Sequence, residues 1–293
     1  MFVTSSVSKS RQTAGLRIAV ILSGELRTLD YCLPRLAKSF SGPHETHFFL
    51  STWDQNRPAS VVGSKNIFIR GIESPEKLVA ETINSQTVKF TGSTIEKYDI
   101  ITQKHLHIAE EVSFNIPLQI KDRAFEYATC AHAIMVTLNQ WYLLKKGFEL
   151  VQNFQKNEKY DIIVRARPDI ILAKPVIWPK LGEIFSDCLR LSRRRKHFLF
   201  DGYFVGNYPD MTPILNGYDY FLEILALKEF FPVYTSKMKI QWALGKTVHR
   251  RTMGSKGRRS ILESEHFYRY LLAQQKNCTI IDSRVHAEMV RSR

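Results

Sequence analysis

The chain has 293 residues, 44% of them hydrophobic and 12% aromatic, which excludes a disordered tail or a low-complexity array and leaves room for a substantial buried core. Lys and Arg outnumber Asp and Glu by 42 to 28, a net charge of +14; such a surplus favours a polyanionic partner, whether nucleic acid, an anionic lipid surface or a phosphorylated small molecule. Cys32, Cys130, Cys188 and Cys278 lie far apart with no C-x-x-C pair, so neither a zinc knuckle nor a disulfide framework is indicated, and reduced thiols in a cytoplasmic protein are expected.

The first residues, Met1 to Ala14, are rich in Ser and Thr and lack an apolar segment. They read as a flexible lead-in (residues 1–15) rather than a signal peptide. Leu16 to Ser23 is a β-branched apolar run closed by Gly24, the pattern of a parallel strand buried on both faces. A helix is expected over Arg27 to Phe40 despite Pro34, then a second strand over Thr46 to Thr52 ending at Trp53-Asp54. This is a repeating βα unit. Lys65 to Arg70 has the character of a third strand, and residues 71–121 show no clear period. From Arg123 to about Phe154, Ala128, Ala131, Met135, Leu138 and Tyr142 recur every three or four residues, so one face of a long helix should cover the sheet. Tyr160 to Leu172 reads as a strand interrupted by Arg165, Arg167, Pro168 and Asp169. A strand over Phe198 to Val205, an apolar helix around Tyr218 to Phe230, a basic loop over 237–259 and a helix over Glu263 to Gln275 complete the chain. No repeat or Gly/Ser linker divides it. The expectation is one α/β domain over 16–293, with a mostly parallel central sheet flanked by helices. No run approaches the ~20 apolar residues of a spanning helix, so any membrane contact is expected to be peripheral.

The chemistry-bearing residues gather at predicted strand ends, where open α/β sheets hold ligands. After the first strand, Gly24 would let the backbone approach a ligand and Arg27 could fork onto a phosphate or carboxylate; a helix entry with a surface arginine reads as readily. There is no G-x-G-x-x-G and no G-x-x-x-x-G-K-[ST], which removes support for a Rossmann dinucleotide enzyme or a P-loop kinase. Arg165, Arg167 and Asp169 share strand parity and would face one pocket. Charges in an apolar strand are costly unless paired or turned to a ligand. The alternatives are an Arg–Asp ion pair tying strand to helix, or arginines on a diphosphate with Asp169 orienting a ribose or holding a cation. Trp53 and Asp54 could stack on a base and bind a ribose hydroxyl, or form a Trp plug and a helix cap. Asp201 puts a carboxylate inside another strand beside glycines. Glu263 suits a helix first turn, Glu265 a binding or general-base role, and His286 reads as a surface residue.

Taken in order, SGELR, HFFLSTWD, YDIIVRARPDIIL, DGYFVGN and SEHFYRYLL over roughly residues 16–275 resemble the glycosyltransferases of capsular and lipopolysaccharide synthesis, including the WavE-like group and related viral proteins. The resemblance implies a GT-A-like fold with a nucleotide-sugar donor at the carboxyl edge of the sheet. It implies that Gly24 and Arg27 line the nucleotide site and that Trp53 and Asp54 approach base or ribose; the diphosphate would then meet Arg165 and Arg167, as the strand reading already allows. Asp169 stands where the last carboxylate of a D-x-D motif would, the candidate ligand of Mg²⁺ or Mn²⁺, and Asp201 and Glu265 would face a glycan or lipid-linked acceptor as catalytic carboxylates. Arg167 occupies the place of the first aspartate, and an arginine can neutralise a leaving diphosphate without metal. On this reading, replacing Arg167 by alanine abolishes turnover with little effect on the fold.

Most of the remaining excess charge lies in Arg193 to His197 and in Lys237 to Arg259, the latter with eight Lys/Arg and no acid. These are solvated loops, an adhesive for anionic headgroups, or a flap over the donor. The competing class, a basic nucleic-acid-binding protein, has the charge in its favour but no helix-turn-helix, zinc-finger or RNP-type signature. A sulfotransferase or other phosphate-handling transferase is a further alternative, but the sequence shows no recognisable phosphosulfate loop.

Overall fold

A computed structural model of the protein describes residues 15–26, 28–54, 74–83, 87–114, 127–155, 159–174, 176–189, 198–227, 267–268, 271, 278–282 and 287–289. Arg27, Glu263, Glu265, His286, the strand expected over Lys65 to Arg70 and both basic segments lie outside these residues, as does the lead-in to Ala14. For Asp201 the backbone alone is described.

The first strand, β1 (Arg17–Ser23), is buried along nearly its whole length. Its side chains alternate between two cores, as the two faces of a pleated strand require. Ile18, Val20 and Leu22 join Leu29, Leu33, Leu36 and Phe40 of α1 (Leu29–Phe40). Ala19 and Ile21 join Leu144, Phe148 and Val151 of α4 (Tyr127–Phe154) on the other side. Pro34 interrupts α1 on its exposed side, so the backbone acceptor it leaves unbonded can turn to water.

The second strand is β2 (Glu45–Trp53), followed by a short α2 (Pro75–Thr82), β3 (Val88–Glu96) and α3 (Tyr98–Phe114). The sequence gives no clear period over these last elements, and β3 shows why. It is a sheet edge whose side chains are mostly half-exposed, so no apolar alternation marks it. Beyond α4, the interrupted run resolves into β4 (Ile162–Ala166) and β5 (Ile170–Leu172), followed by β6 (Glu183–Leu189), β7 (Phe198–Asn207), α5 (Tyr208–Leu215), α6 (Gly217–Leu227), β8 (Thr279–Asp282) and β9 (Ala287–Met289).

Seven strands form one sheet in the order β3-β2-β1-β4-β7-β6-β8, and β5 pairs with β9 in a second, two-stranded sheet. Contacts from β3 to β4 are parallel, β7 is antiparallel to both neighbours, and β8 is parallel to β6. The protein is thus α/β, with a mostly parallel mixed sheet between helices, as its sequence leads one to expect. The order carries a functional consequence. From β1 the chain moves outward through β2 and β3, then returns to place β4 on the opposite side of β1. This reversal is a topological switch point, and the carboxyl ends of β1 and β4 flank it. Among the described residues, no helix is long and apolar enough to cross a membrane.

Candidate functional site at the carboxyl edge

The turn after β1 is pinned to β2. Gly24 donates its N–H to the Ser51 carbonyl at 3.2 Å, and its own carbonyl accepts from Thr52 Oγ1 at 2.8 Å. Its φ of 137° lies where a side chain is strained, which is the local reason for glycine. A Cβ here would sit 3.4 Å from Pro168 Cδ. The turns leaving β1 and β4 therefore lie close together across the switch point, with room for little more than the glycine hydrogen between them.

After β4 the chain bends sharply, and the shared face expected for Arg165, Arg167 and Asp169 is not kept. Period-two alternation ends with the strand at Ala166, because a turn over Pro168-Asp169 separates β4 from β5. Arg165 lies on the α4 side at 1% exposure, its Nε donating to Ser23 Oγ at 3.3 Å and its guanidinium 5.8 Å from the centre of the Phe204 ring. Arg167 makes a fork on Asp169: Nε and Nη2 donate to the two carboxylate oxygens, each at 2.8 Å. Asp169 is 2% exposed and Arg167 22%. Asp169 also lies close enough to α1 for its charge to reinforce the effect of burial in raising the Cys32 thiol. An Arg–Asp ion pair does form, but within one turn rather than from strand to helix, and a bidentate pair of this kind holds the guanidinium in a fixed plane.

The middle of the antiparallel β7 passes beside this turn. Tyr203 is the register partner of Ala166, and the Arg167 N–H donates to the Gly202 carbonyl at 2.9 Å. The backbone of Asp201 therefore reaches the same edge as Gly24 and Arg167.

A divalent cation fits this turn poorly. Both oxygens of Asp169 accept from Arg167, and the described residues hold no group of three or more His, Cys, Asp or Glu that could ligate a metal. A cation on Asp169 would have to share a carboxylate already neutralised by an arginine fork, so no chemical step is assigned to a metal here.

Trp53 and Asp54 end β2 nearby but do structural work. The indole, 5% exposed, meets the Tyr98 ring edge-on at 5.2 Å and lies parallel to the Tyr142 ring at 6.2 Å. Asp54 Oδ1 accepts the Tyr98 N–H at 2.9 Å, satisfying one of the orphan amides that open α3. Lys97 sits 3.5 Å from Oδ2. The plug and the cap are the arrangements seen.

Sequence reasoning passed over a buried polar chain behind this plug. Asn139 Oδ1 can only accept, so the 2.6 Å contact fixes His105 Nδ1 as the protonated nitrogen, and Nε2 then accepts from the Tyr218 hydroxyl at 2.9 Å. Asn139 passes a hydrogen bond on to Thr102 at 3.0 Å. The chain ties α3, α4 and α6 together. Burial pushes the Tyr218 hydroxyl up to about 12. The available signal was Asn139, a polar residue next to Leu138 in the apolar stripe of α4.

Burial also lowers the pKa of His105, against the opposing hydrogen bond from Asn139, and lowers that of His47, against the attraction of Glu45. Both imidazoles are favoured neutral in the fold, whereas the unfolded chain takes up their protons near 6.5. Stability contributed by these groups is full above that pH and is lost as pH falls through the lower folded values. Urea midpoints are therefore expected to fall between pH 7.5 and pH 5.5, and less steeply in His105→Gln; equal slopes in the two proteins would remove His105 from this account.

No protein-family model matches the chain, and no curated protein matches it.

Proposed function

We propose that the protein is a nucleotide-sugar-dependent glycosyltransferase, moving a sugar from a nucleoside-diphosphate donor to a hydroxyl of a glycan or lipid-linked acceptor. The observation that carries the reading is the meeting of the Gly24 turn with the Arg167-Pro168-Asp169 turn at the point where strand order reverses, the position at which open α/β sheets take their ligands. Support also comes from the charge there, since an arginine oriented by a buried carboxylate is suited to an oxyanion.

In the proposed reaction the acceptor hydroxyl oxygen bonds to the anomeric carbon. The bond from that carbon to the donor phosphate oxygen breaks, and its electron pair leaves with the diphosphate. Arg167, with Arg27 and Arg165 as further candidates, offsets the growing negative charge. The hydroxyl proton passes to a carboxylate, for which Asp201 and Glu265 are the candidates. The basic segments at 193–197 and 237–259 are assigned to an anionic membrane surface on which a lipid-linked acceptor would lie.

The test is a thermal-shift titration of the full chain with UDP, GDP and a single-stranded oligonucleotide, with and without Mn²⁺. Stabilisation by a nucleoside diphosphate, undiminished by chelator, is expected. Silence toward every nucleotide, or stabilisation by the oligonucleotide alone, would overturn the proposal, the latter in favour of a nucleic-acid-binding protein.

A further inference from the structure

The two arginines described at the carboxyl edge are not equivalent. Arg167 is 22% exposed, whereas Arg165 is 1% exposed and lies on the α4 side of the sheet. Its guanidinium faces the buried Phe204 ring of β7, which is itself stacked on the buried Tyr268 ring at 4.8 Å between centres. A diphosphate cannot touch this guanidinium without the packing around it opening. A charge so placed is costly to bury, and the structure supplies a use for it other than ligand contact.

That use lies at the end of β1. Arg165 Nε donates to Ser23 Oγ at 3.3 Å, and Ser23 is the last residue of β1, directly before the Gly24 turn. The parallel ladder between β1 and β4 ends at Leu22 and Ala166, one residue short of Ser23. The bond from Arg165 to Ser23 therefore carries the link between the two strands beyond their backbone pairing. Two other ties of the turn, from the Gly24 N–H to the Ser51 carbonyl and from Thr52 Oγ1 to the Gly24 carbonyl, run to β2. Arg165 reaches Ser23 from the opposite side of β1, from the strand whose own turn brings Pro168 up to Gly24.

We propose that Arg165 is a positioning residue of the nucleotide site. Acting through the Ser23 hydroxyl, it sets the Gly24 turn at its distance from the Arg167-Pro168-Asp169 turn, and contact with the diphosphate is left to the more exposed Arg167. What the two turns receive rests on the glycosyltransferase reading; the tie between Arg165 and the Gly24 turn does not.

Two measurements on the full chain test it, in Ser23→Ala, which removes the acceptor, in Arg165→Gln, which removes the charge, and in the double variant. The first is backbone amide exchange. In Ser23→Ala the Gly24 amide is expected to exchange about tenfold faster, beyond any acceleration shared by the Val20 and Ile21 amides of the same strand. Gly24 exchange that keeps step with Val20 and Ile21 would overturn the proposal, whatever the protein binds, and this holds even where Arg165→Gln fails to fold. The second is the affinity for UDP as salt is raised. Ser23→Ala and Arg165→Gln should each weaken UDP by about tenfold, and the double variant no further. The salt dependence should stay that of the wild type in Arg165→Gln, because no cation has left the diphosphate. Wild-type UDP affinity in Ser23→Ala, or a flattened salt dependence in Arg165→Gln, would mark a direct contact and overturn the proposal. Failure of the wild-type protein to bind UDP would remove the nucleotide reading alone, and Gly24 exchange would still decide what Arg165 does.

Discussion

Replacing Arg167 with alanine is expected to destabilise the protein by about 3 kcal/mol, the largest loss among the substitutions of the Arg167–Asp169 pair. The cost arises from what is left behind. Asp169 is 2% exposed and would lose the fork that engages both its oxygens at 2.8 Å, and a buried carboxylate deprived of such a donor carries most of its desolvation penalty. The reverse change is milder. In Asp169→Ala the guanidinium of Arg167, already 22% exposed, can be hydrated, so a loss of about 1–2 kcal/mol is expected. The double variant should lie closer to Asp169→Ala than to Arg167→Ala, giving a favourable coupling energy between the two sites. Urea unfolding of the four proteins reads this directly. A double variant as unstable as the sum of the singles would show that the pair contributes nothing as a pair. This revises the expectation, natural from sequence, that Arg167→Ala removes activity while sparing the fold. Loss of turnover in that variant would not separate chemistry from folding. Arg167→Lys, which keeps the charge over Asp169 but loses the fork, and the double variant are the informative proteins.

The reason the sequence misleads at this point is local geometry. Period-two reasoning is sound from Ile162 to Ala166, where the strand persists, and it fails where Pro168 enters a turn. Proline lacks the N–H that a ladder needs and constrains the residue before it, and that signal was visible in the sequence. The strands β1, β2 and β4 and the helices α1 and α4 were legible for the opposite reason. Each is buried on a face or on both, so its apolar period survives in the sequence. The edge strand β3 is half-exposed and mixes Lys89, Gly92, Ser93 and Thr94 among its apolar residues, and burial imposes no pattern on it. Strand order is a different matter. That β4 lies beside β1 rather than beyond β3 is a non-local fact, set by how α4 covers the sheet, and no window of sequence holds it. The switch point, on which the candidate site rests, follows only once that order is known. Trp53 and Asp54 show the limit of residue type as a guide to role: the same side chains that could read a nucleotide also stack on Tyr142 and cap α3, and only their neighbours decide.

Gly147→Val is expected to unsettle the fold and the carboxyl edge together. The helix α4 is 28 residues long, about 42 Å, and it is pressed onto the sheet at Gly147. A Cβ at that position would fall on Ile21 Cγ2 and 3.4 Å from Ser51 Cβ. Ile21 and Ser51 belong to the middle strands, whose backbones cannot yield without disturbing the parallel ladder between β1 and β2, so the helix must lift. Overpacking of this kind costs about 1–3 kcal/mol for a single added methyl and more for a branched side chain, whereas the gain in helix propensity over glycine is at most about 1 kcal/mol. Gly147→Ala should therefore be mildly destabilising and Gly147→Val severely so. The consequence extends beyond stability, because the Ser51 carbonyl beneath α4 is the acceptor for the Gly24 N–H, and Tyr142 of the same helix covers the Trp53 indole. Lifting the helix loosens both supports of the turn after β1. In Gly147→Ala the near-ultraviolet circular dichroism of the aromatic cluster should weaken and any stabilisation by nucleoside diphosphate should fall, while far-ultraviolet helicity is retained. A Gly147→Ala protein with wild-type stability and an unchanged aromatic signal would mean that α4 does not bear on β1 and β2 at this point, and the link from helix packing to the Gly24 turn would fail with it.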